Sequence, residues 1–420
     1  MSHINALQLD HIIDALRRVL PCEQPADGVL SRFFREHHKL GVQDRHVIAE
    51  TVFAVLRRRR LLTALCTPTP TPRRLALASL VKVRGHNLRE LDGLLSESDK
   101  KWVGELKGLQ PELSLAERAE LPDWVIDTLH TDGLNDEDIL AWGQGMQNSA
   151  PLDLRVNSLK ARREDVLAQF AREGLAAEAT PYSPYGIRLK TKPALQRHPL
   201  FLAGAIEVQD EGSQLLGLLL APRRGEMVVD FCAGAGGKTL LLCALMASSG
   251  RLYAFDTSQK RLTKLKPRLA RSGLSNVHPQ LLDSETDSRI KRLAGKIDRV
   301  LVDAPCSGLG TLRRNPDLKY RQSSESVAEL NALQTRILDS AARLVKKGGR
   351  LVYATCSLLT AENQHIIEAF LQQHPDFIRL PAEQILAEHK ITLPCGDYLR
   401  LSPHQHGTDG FFAAVMERQG

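Results

Sequence analysis

The spacing of hydrophobic residues divides the chain into two parts with different periodicities. From residue 1 to about residue 130, apolar residues recur three and four positions apart, as in ALQLDHIIDALRRVL and DRHVIAETVFAVLRRRRLLTAL. This spacing is typical of amphipathic helices, so it predicts an all-helical domain over residues 1–130. Within LPDWVIDTL, Pro122 stands early in a predicted helix, where its missing N–H costs nothing. Residues 143–153, rich in Gly, Gln, Asn and Pro, are expected to form a linker.

The second part alternates short β-rich runs with helix-length segments. Residues 151–212 contain the strand LDLRVN, the helix REDVLAQFAREG and the strand IRLK, which indicates a small α/β subdomain. From residue 213 to 420 the alternation predicts a parallel sheet with helices on both faces, the Rossmann-like doubly wound class of α/β fold. The predicted strands are EMVVDFCAG (226–234), RLYAFD (251–256), VHPQLLD (277–283), DRVLVDAP (298–305), GRLVYATC (349–356) and a closing strand GFFAAVMER.

Composition narrows the class of protein. A chain of 420 residues is long for one core, and 43% hydrophobic with 25% charged residues is ordinary for a globular protein. The longest apolar runs, such as LLGLLLA, fall far below the ~18 residues of a membrane span, and the first residues lack a signal-peptide pattern, so we expect a cytoplasmic protein. Its seven cysteines are scattered and form no CxxC pair, so we expect reduced thiols and no metal site.

Positive charge is clustered along the chain. The net charge is +7, and basic clusters occur in RRRR at 57–60 and KRLTKLKPRLAR at 260–271. A solvated helix face explains any single cluster, but their number indicates a nucleic-acid partner. Candidates for phosphate contact lie in a third cluster: Arg313, Arg314, Lys319 and Arg321.

A glycine-containing loop, VVDFCAGAGGKT, follows the first strand of the predicted sheet and opens a helix. It fails the Walker A pattern, which needs Gly at Cys232, and the dinucleotide pattern, which needs Gly at Thr239. What remains is an acidic residue followed by Gly-x-Gly, a backbone that can approach a ligand closely without cradling a phosphate. The residues of this pattern, and the first candidates for cofactor binding, are Asp230, Gly234 and Gly236.

Two more carboxylates end the next two strands. Asp256, about twenty residues on, could accept both ribose hydroxyls, and Asp283 could accept from an adenine amine. Three strand-end carboxylates suit a ligand with a ribose, an adenine and an ammonium group but no phosphate. S-adenosylmethionine is such a ligand; the alternative is that the aspartates only cap helices.

Two thiols stand at the ends of the fourth and fifth strands. Cys306 follows Asp303, and Cys356 precedes a serine-containing turn. In a doubly wound sheet these two ends lie near each other on the cofactor edge. A thiolate can add to C6 of a pyrimidine and make C5 nucleophilic, and an acid such as Asp303 near N3 would help. An inert buried thiol is the simpler explanation for three others on helical stretches: Cys22, Cys66 and Cys243.

DAPCSGLGTLRRNPD together with YATCSLLTAENQ resembles the two signature segments of the RNA cytosine-C5 methyltransferases of the Nop2/Sun (bacterial RsmB-like) family. The resemblance extends through VVDFCAGAGGKT, AIEVQDEGSQL, LRVNSLK, LPDWVIDTL and TDGFFAAV, covering about residues 120–420. It implies a class I methyltransferase fold using S-adenosylmethionine, with Cys356 as the nucleophile and Cys306 assisting product release. DNA cytosine methyltransferases use the Pro-Cys thiol as nucleophile instead.

The resemblance implies further roles. Asp256 and Asp283 would hold the ribose and adenine, Asp303 would face the methionine end and the target base, and Lys238 would lie beside the cofactor. The other residues expected at the cofactor are Cys232, Ala233, Gly237 and Arg261. In the small subdomain, Arg155 and Asn157 match an RNA-facing segment. One departure is Ala235, where the family usually has Pro. The helix VQDRHVIAETVFAVLRRRRLL resembles a NusB-like RNA-binding domain, with an unrelated helical extension as the alternative.

The sequence therefore predicts an RNA methyltransferase that makes 5-methylcytosine, most simply in ribosomal RNA because of the N-terminal domain. We expect it to act as a monomer. A transfer-RNA methyltransferase and a non-catalytic RNA-binding or ribosome-assembly factor are the alternatives. The second is disfavoured because folding does not require Asp303, Cys306 and Cys356 together.

Overall fold

A computed structural model describes residues 4–420, and its N-terminal part is helical, as predicted. Asn5 caps the first helix in a capping box with Gln8, and the helix buries one apolar stripe that includes Leu9, Ile12 and Leu16. Residues up to 149 form one compact unit together with residues 311–324. Its helices in the first segment are α1 (Ala6–Val19), α2 (Ala26–Glu36), α3 (Val42–Arg57), α4 (Arg59–Leu65), α5 (Pro72–Ala78), α6 (Leu88–Leu91), α7 (Glu97–Gly108), α8 (Leu115–Ala119), α9 (Asp123–Thr131) and α10 (Asp136–Met146).

Helix α10 occupies the first residues of the segment in which a linker was expected. Gly143, one of the residues that suggested a loop, lies inside this helix. A Cβ at this position would come within 2.4 Å of the Ala119 carbonyl oxygen, so the glycine allows α10 to pack closely against α8. The linker prediction was wrong here because a packing glycine was interpreted as a turn signal.

A small antiparallel sheet follows in the second compact unit, which comprises residues 150–310 and 325–420. Its strand order is β2-β3-β1-β4, and its core contains Leu154, Phe170, Ile187 and Ile206. Sequence analysis missed two of the strands, β2 and β4, because each has only three residues. The elements are β1 (Leu152–Val156), α11 (Arg163–Arg172), β2 (Ala177–Ala179), β3 (Gly186–Leu189), α12 (Pro199–Leu202) and β4 (Ile206–Val208).

The rest of this unit is built on an eight-stranded sheet with buried apolar clusters on both faces. The elements up to the fifth of its strands are α13 (Glu211–Leu220), β5 (Met227–Asp230), α14 (Gly237–Leu245), β6 (Arg251–Asp256), α15 (Gln259–Ser272), β7 (Val277–Leu281), α16 (Ser288–Lys291), β8 (Ile297–Asp303), α18 (Ser324–Ala342) and β9 (Val345–Thr355). Helix α17 (Leu318–Arg321) lies between β8 and α18 in the chain but belongs to the helical unit. The last elements are α19 (Gln364–Gln373), β10 (Phe377–Leu380), α20 (Ala382–Glu388), β11 (Tyr398–Leu401), α21 (Pro403–His406) and β12 (Phe411–Arg418).

The strand order confirms the predicted doubly wound fold. The order is β10-β12-β9-β8-β5-β6-β7, with β11 also paired to β12, and strands β5 to β9 are parallel. The chain proceeds from β5 to β6 on one side and later returns to β8 on the other side. In such sheets this switch point opens a crevice at the carboxyl ends of the two strands, where ligands bind.

The helical unit includes a segment that is remote in sequence. Residues 311–324, with α17, belong to that unit although they directly follow the Cys306 loop. The Asp317 carboxylate accepts a hydrogen bond from the backbone N–H of Ala26 at 3.3 Å, and Tyr320 packs against the helical core. Within residues 4–420, no helix is both long and apolar enough to cross a membrane.

Candidate active site

A cavity of about 550 Å³ opens at the carboxyl ends of β5, β6 and β8. Its volume lies in the range of small-molecule sites. The predicted residues that line it are Asp230, Cys232, Ala233, Gly234, Gly237, Lys238, Asp256, Arg261, Asp303, Cys306 and Cys356. The structure thus brings most of the predicted cofactor residues and all three predicted catalytic residues to one cavity.

The loop between β5 and α14 is held in a conformation that needs glycine. Gly234 and Gly236 have φ angles of 57° and 84°, and a Cβ at Gly236 would lie 2.1 Å from Leu265. The backbone N–H of Gly234 donates to Asp256 Oδ2 at 2.8 Å, and the other oxygen of Asp256 accepts from the N–H of Ser258 at 2.7 Å. Asp256 therefore fixes this loop as well as lining the cavity.

Asp230 is a buried carboxylate with spare hydrogen-bonding capacity. The hydroxyl of Thr239 donates to its Oδ2 at 2.7 Å, whereas its Oδ1 has no hydrogen-bond partner among the residues that the structure describes. Burial raises the pKa of Asp230 to about 7, and the nearby carboxylates of Asp303 and Asp256 also favour the protonated form. An unpartnered carboxylate oxygen in a cavity wall is suited to accept from a cationic donor.

Lys238 forms an ion pair with Asp303 across the carboxyl ends of the strands. The two charged atoms, Nζ and Oδ2, are 2.7 Å apart, and Nζ lies 5.9 Å from the centre of the Phe411 ring. Burial disfavours the charge, but the Asp303 carboxylate outweighs it and raises the pKa of Lys238. The sequence placed Lys238 only beside the cofactor, and the structure adds its pairing with Asp303 on the wall of the cavity that both thiols also line.

The two thiols meet at the strand ends. The sulfur atoms of Cys306 and Cys356 are 3.3 Å apart, and the backbone N–H of Cys356 donates to the Cys306 sulfur at 3.3 Å. The hydrogen bond between the thiols, together with burial, raises the pKa of Cys306 well above its usual value.

Asp283 does not reach the cavity. Strand β7 ends at Leu281, and the side chain of Asp283 is 89% exposed, 3.5 Å from Arg289. Its neighbours Leu282 and Ser284 line the cavity instead. The expectation that Asp283 accepts from an adenine amine is thus not met, because the strand stops two residues before the predicted end.

Several cavity residues gave no signal in the sequence. Arg268 is one of them, and its guanidinium donates to the carbonyl oxygen of Ala235 at 2.8 Å, so it supports the loop where the resembling family has Pro. Arg268 was visible only as part of a basic run. The other unpredicted lining residues include Gln209, Ser213, Glu285, Leu333 and Ile337.

Arg155 and Asn157 were expected to contact RNA, but both residues are buried. Only 2% of the surface of Arg155 and 4% of that of Asn157 is exposed. The Arg155 guanidinium donates to Gln209 and to the carbonyl oxygen of Gly237, the latter at 2.7 Å. Asn157 donates to the carbonyl oxygens of Gly204 and Ser272. Both side chains tie the small subdomain to helices, Arg155 to α14 and Asn157 to α15, so they face the protein interior and not RNA.

Two of the four candidate phosphate contacts after Cys306 are also buried. Lys319 donates to the carbonyl oxygens of Arg57 and Glu120 at 3.0 and 2.8 Å. Burial lowers the pKa of Lys319 to about 8, although the negative charge of Glu120 acts in the opposite direction. Arg313 is 6% exposed. Lys319 thus helps to hold the helical unit together, and the buried Arg313 is not exposed for contact with phosphate. Arg314 is half-buried and Arg321 is exposed, so these two still reach the surface.

The sequence matches two related family profiles. One is the 16S rRNA methyltransferase RsmB/F family, over residues 217–417, and the other is the ferredoxin-like domain of RsmF/B-like methyltransferases, over residues 121–196.

Individual relatives agree with these profiles. The chain is 34% identical to the probable ribosomal RNA small subunit methyltransferase B of Synechocystis, over 99% of this chain and 100% of that protein. It is also 34% identical to the Bacillus subtilis protein of the same name, over 81% of this chain and 76% of that protein. A crystal structure of a methyltransferase homolog from Pyrococcus horikoshii matches 71% of this chain and 100% of its own, with 29% identity and a TM-score of 0.58.

These matches confirm the family resemblance that the segments around Cys306 and Cys356 indicated. The cavity supplies an unpartnered carboxylate oxygen and a glycine loop at the switch point of the sheet, which suits the methyl donor of this class of enzyme. The chain therefore belongs to the RsmB/F family of rRNA methyltransferases, and its cofactor is S-adenosylmethionine.

Proposed function

We propose that this protein methylates C5 of a cytosine in ribosomal RNA through a covalent bond between Cys356 and C6 of the base. The observation that carries the proposal is the pair of thiols 3.3 Å apart on the wall of the cofactor cavity. Ribosomal RNA is supported by the relatives from Synechocystis and Bacillus subtilis, both of which are named as probable ribosomal RNA small subunit methyltransferases.

The cofactor would be held by the loop after β5 and by two carboxylates. Asp256 ends β6 and lines the cavity, and the free oxygen of Asp230 would accept from the cofactor's ammonium group. Bound there, S-adenosylmethionine supplies an electrophilic methyl group. The chain's own residues must then make C5 of the base nucleophilic.

The thiols divide this work between them. Cys356 attacks C6, so that a C–S bond forms and the ring electrons become available at C5. Cys356 is assigned this step because it stands at the position of the nucleophile in the second signature segment of the resembling family. After methyl transfer a base removes the C5 proton, the C–S bond breaks, and Cys356 leaves. Cys306, in contact with the Cys356 sulfur, is placed to assist this release.

The Lys238 and Asp303 pair can bind the edge of a pyrimidine. Its carboxylate and ammonium, 2.7 Å apart, offer an acceptor and a donor side by side on the cavity wall. Cytosine presents the N4 amino group as a donor next to the N3 acceptor, so the pair complements it. Uracil would complement the same pair in the reverse order, so the choice of cytosine rests on the family resemblance.

The proposal is tested by trapping the covalent intermediate. Wild type, Cys306→Ala, Cys356→Ala and a control, Cys395→Ala, whose thiol lies outside the cavity lining, are mixed with S-adenosylmethionine and total RNA from cells lacking the gene. Cys306→Ala should carry RNA as a band that survives denaturation, because release is blocked. Cys356→Ala should carry none and transfer no methyl group, and the control should behave as wild type.

Sequencing the trapped RNA identifies the substrate and separates ribosomal from transfer RNA. Methyl transfer by Cys356→Ala would refute the assigned nucleophile. Absence of transfer by wild type to both free RNA and ribosomal particles would favour a binding role without chemistry.

A further inference from the structure

A buried carboxylate lies behind Cys306, outside the cavity lining. Glu362 is 0% exposed, and its Oε1 accepts from the backbone N–H of Ser307 at 2.8 Å and from the side-chain amide of Gln334 at 3.0 Å. Its Oε2 accepts from the hydroxyl of Ser307 at 2.5 Å. The same Gln334 amide donates to the carbonyl oxygen of Pro305 at 2.9 Å. Glu362 thus holds both residues that flank Cys306, one directly and one through Gln334.

Asn363, the next residue in the chain, holds the two residues that flank Cys356. The side-chain oxygen of Asn363 accepts from the hydroxyl of Thr355 at 2.5 Å, and its amide donates to the carbonyl oxygen of Ser357 at 3.0 Å. Thr355 and Ser357 flank Cys356 on either side. Asn363 is also buried, with 4% exposure.

The contacts around Cys306 and those around Cys356 are connected to each other. Glu362 and Asn363 are joined by one peptide bond, and the hydroxyls of Ser307 and Ser357 are 3.1 Å apart. The buried Tyr353 hydroxyl donates to the carbonyl oxygen of Glu362 at 2.7 Å, which fixes the dipeptide to β9. All these donors are neutral, so the carboxylate receives hydrogen bonds but no opposite charge from them. Burying a carboxylate in this way is costly unless it is fully hydrogen-bonded, which makes the arrangement rigid.

We propose that Glu362 and Asn363 are positioning residues that set the distance between the sulfur atoms of Cys306 and Cys356. Glu362 acts through Ser307 and Gln334, and Asn363 acts through Thr355 and Ser357. The catalytic meaning of this spacing rests on the proposed function, because Cys306 must reach the Cys356 sulfur to assist release. The spacing itself can be measured without RNA.

The first measurement uses dibromobimane, a short reagent that bridges two neighbouring thiols. Each thiolate displaces one bromide, so two C–S bonds form, two C–Br bonds break, and two bromide ions and two protons are released. Peptide mapping gives the ratio of Cys306 bridged to Cys356 over Cys306 alkylated singly. It also separates this bridge from any bridge to Cys232, which lines the same cavity.

Glu362→Ala should lower the bridged ratio roughly tenfold or more, since about an ångström of misplacement can reduce a well-oriented reaction up to ~10²-fold. Glu362→Gln can still accept from both amides and donate to the serine hydroxyl, so it should retain the ratio. Ser307→Ala removes only one hydroxyl and should lower the bridged ratio by an intermediate amount. This variant can still test the inference if Glu362→Ala does not fold. Glu368→Ala, an exposed glutamate on α19, is the matched control and should match wild type.

S-adenosylmethionine binding by calorimetry verifies that each variant is folded, because neither Glu362 nor Ser307 lines the cavity. The inference is overturned if Glu362→Ala or Ser307→Ala binds cofactor and bridges at the wild-type ratio, or if Glu362→Ala and Glu362→Gln behave alike. If the bridging falls as expected but wild type methylates no RNA, the positioning role stands and the proposed function fails.

Discussion

The ionisation of Asp230 should make cofactor affinity depend on pH. Its pKa is raised to about 7, so the carboxylate is about three quarters ionised at pH 7.5 and about one tenth ionised at pH 6.0. Only the ionised form attracts an ammonium group strongly, so affinity is retained above the pKa and lost as the pH falls through it. If bound cofactor keeps Asp230 ionised, the dissociation constant for S-adenosylmethionine should rise roughly eightfold between pH 7.5 and pH 6.0.

Titration calorimetry at both pH values measures this change directly. The upper value is kept at 7.5 because an α-amino group itself loses its proton near pH 8. Asp230→Asn should bind more weakly at pH 7.5 and show almost no further change at pH 6.0. Asp298→Asn, a half-buried residue near the start of β8, should keep the full wild-type response. The reasoning is refuted if wild-type affinity is flat over this range, or if Asp230→Asn retains the eightfold change.

Two further substitutions test the packing around the site and within the helical unit. Gly310→Ala should reduce methyl transfer roughly 10²-fold with cofactor affinity unchanged, because its new methyl group would lie 2.1 Å from the Gly410 carbonyl oxygen and 2.7 Å from that of Cys356. Gly28→Ala, where nothing lies within 4 Å, is the control, and equal transfer rates in the two variants would contradict the argument. Lys319→Ala should lower the free energy of unfolding by about 1–3 kcal/mol in urea titrations, because the buried carbonyl oxygens of Arg57 and Glu120 lose their donor while Arg58 still pairs with the Glu120 carboxylate. The control Lys264→Ala, at an exposed position on α15, should change the free energy of unfolding by less than about 0.5 kcal/mol. If Lys319→Ala unfolds at the same urea concentration as wild type, the contacts of Lys319 do not stabilise the protein.

Hydrophobic periodicity was sufficient to predict the order of the strands and helices and the edge of the sheet where the site lies. Alternating β-rich and helical segments specify a doubly wound sheet, and the sheet brings the carboxyl ends of its strands to one edge, so Asp230, Asp303 and Cys306 could be placed together from the sequence. Asp283 failed because one or two residues at the end of a short strand decide whether a side chain enters the cavity. Strand ends are where hydrophobic pattern carries least information.

Long-range hydrogen bonds were beyond prediction. Lys319 and Arg155 were interpreted as RNA contacts because a basic residue in sequence gives no sign of its burial, and only the folded chain shows the carbonyl oxygens that hold each of them. Glu362 is a similar case, since its partners Ser307 and Gln334 lie 55 and 28 residues away. A buried carboxylate at such a position looks like any surface glutamate in the sequence.

The return of residues 311–324 to the helical unit has a consequence for biosynthesis. A nascent chain that has only emerged as far as α10 lacks the segment carrying Lys319 and Tyr320, so the buried partners of these residues remain uncovered. The helical unit can be completed only after β5 to β8 have left the ribosome. Its maturation is therefore delayed until more than three quarters of the chain has been synthesised, and a truncation that separates the first 149 residues would yield an incomplete fold.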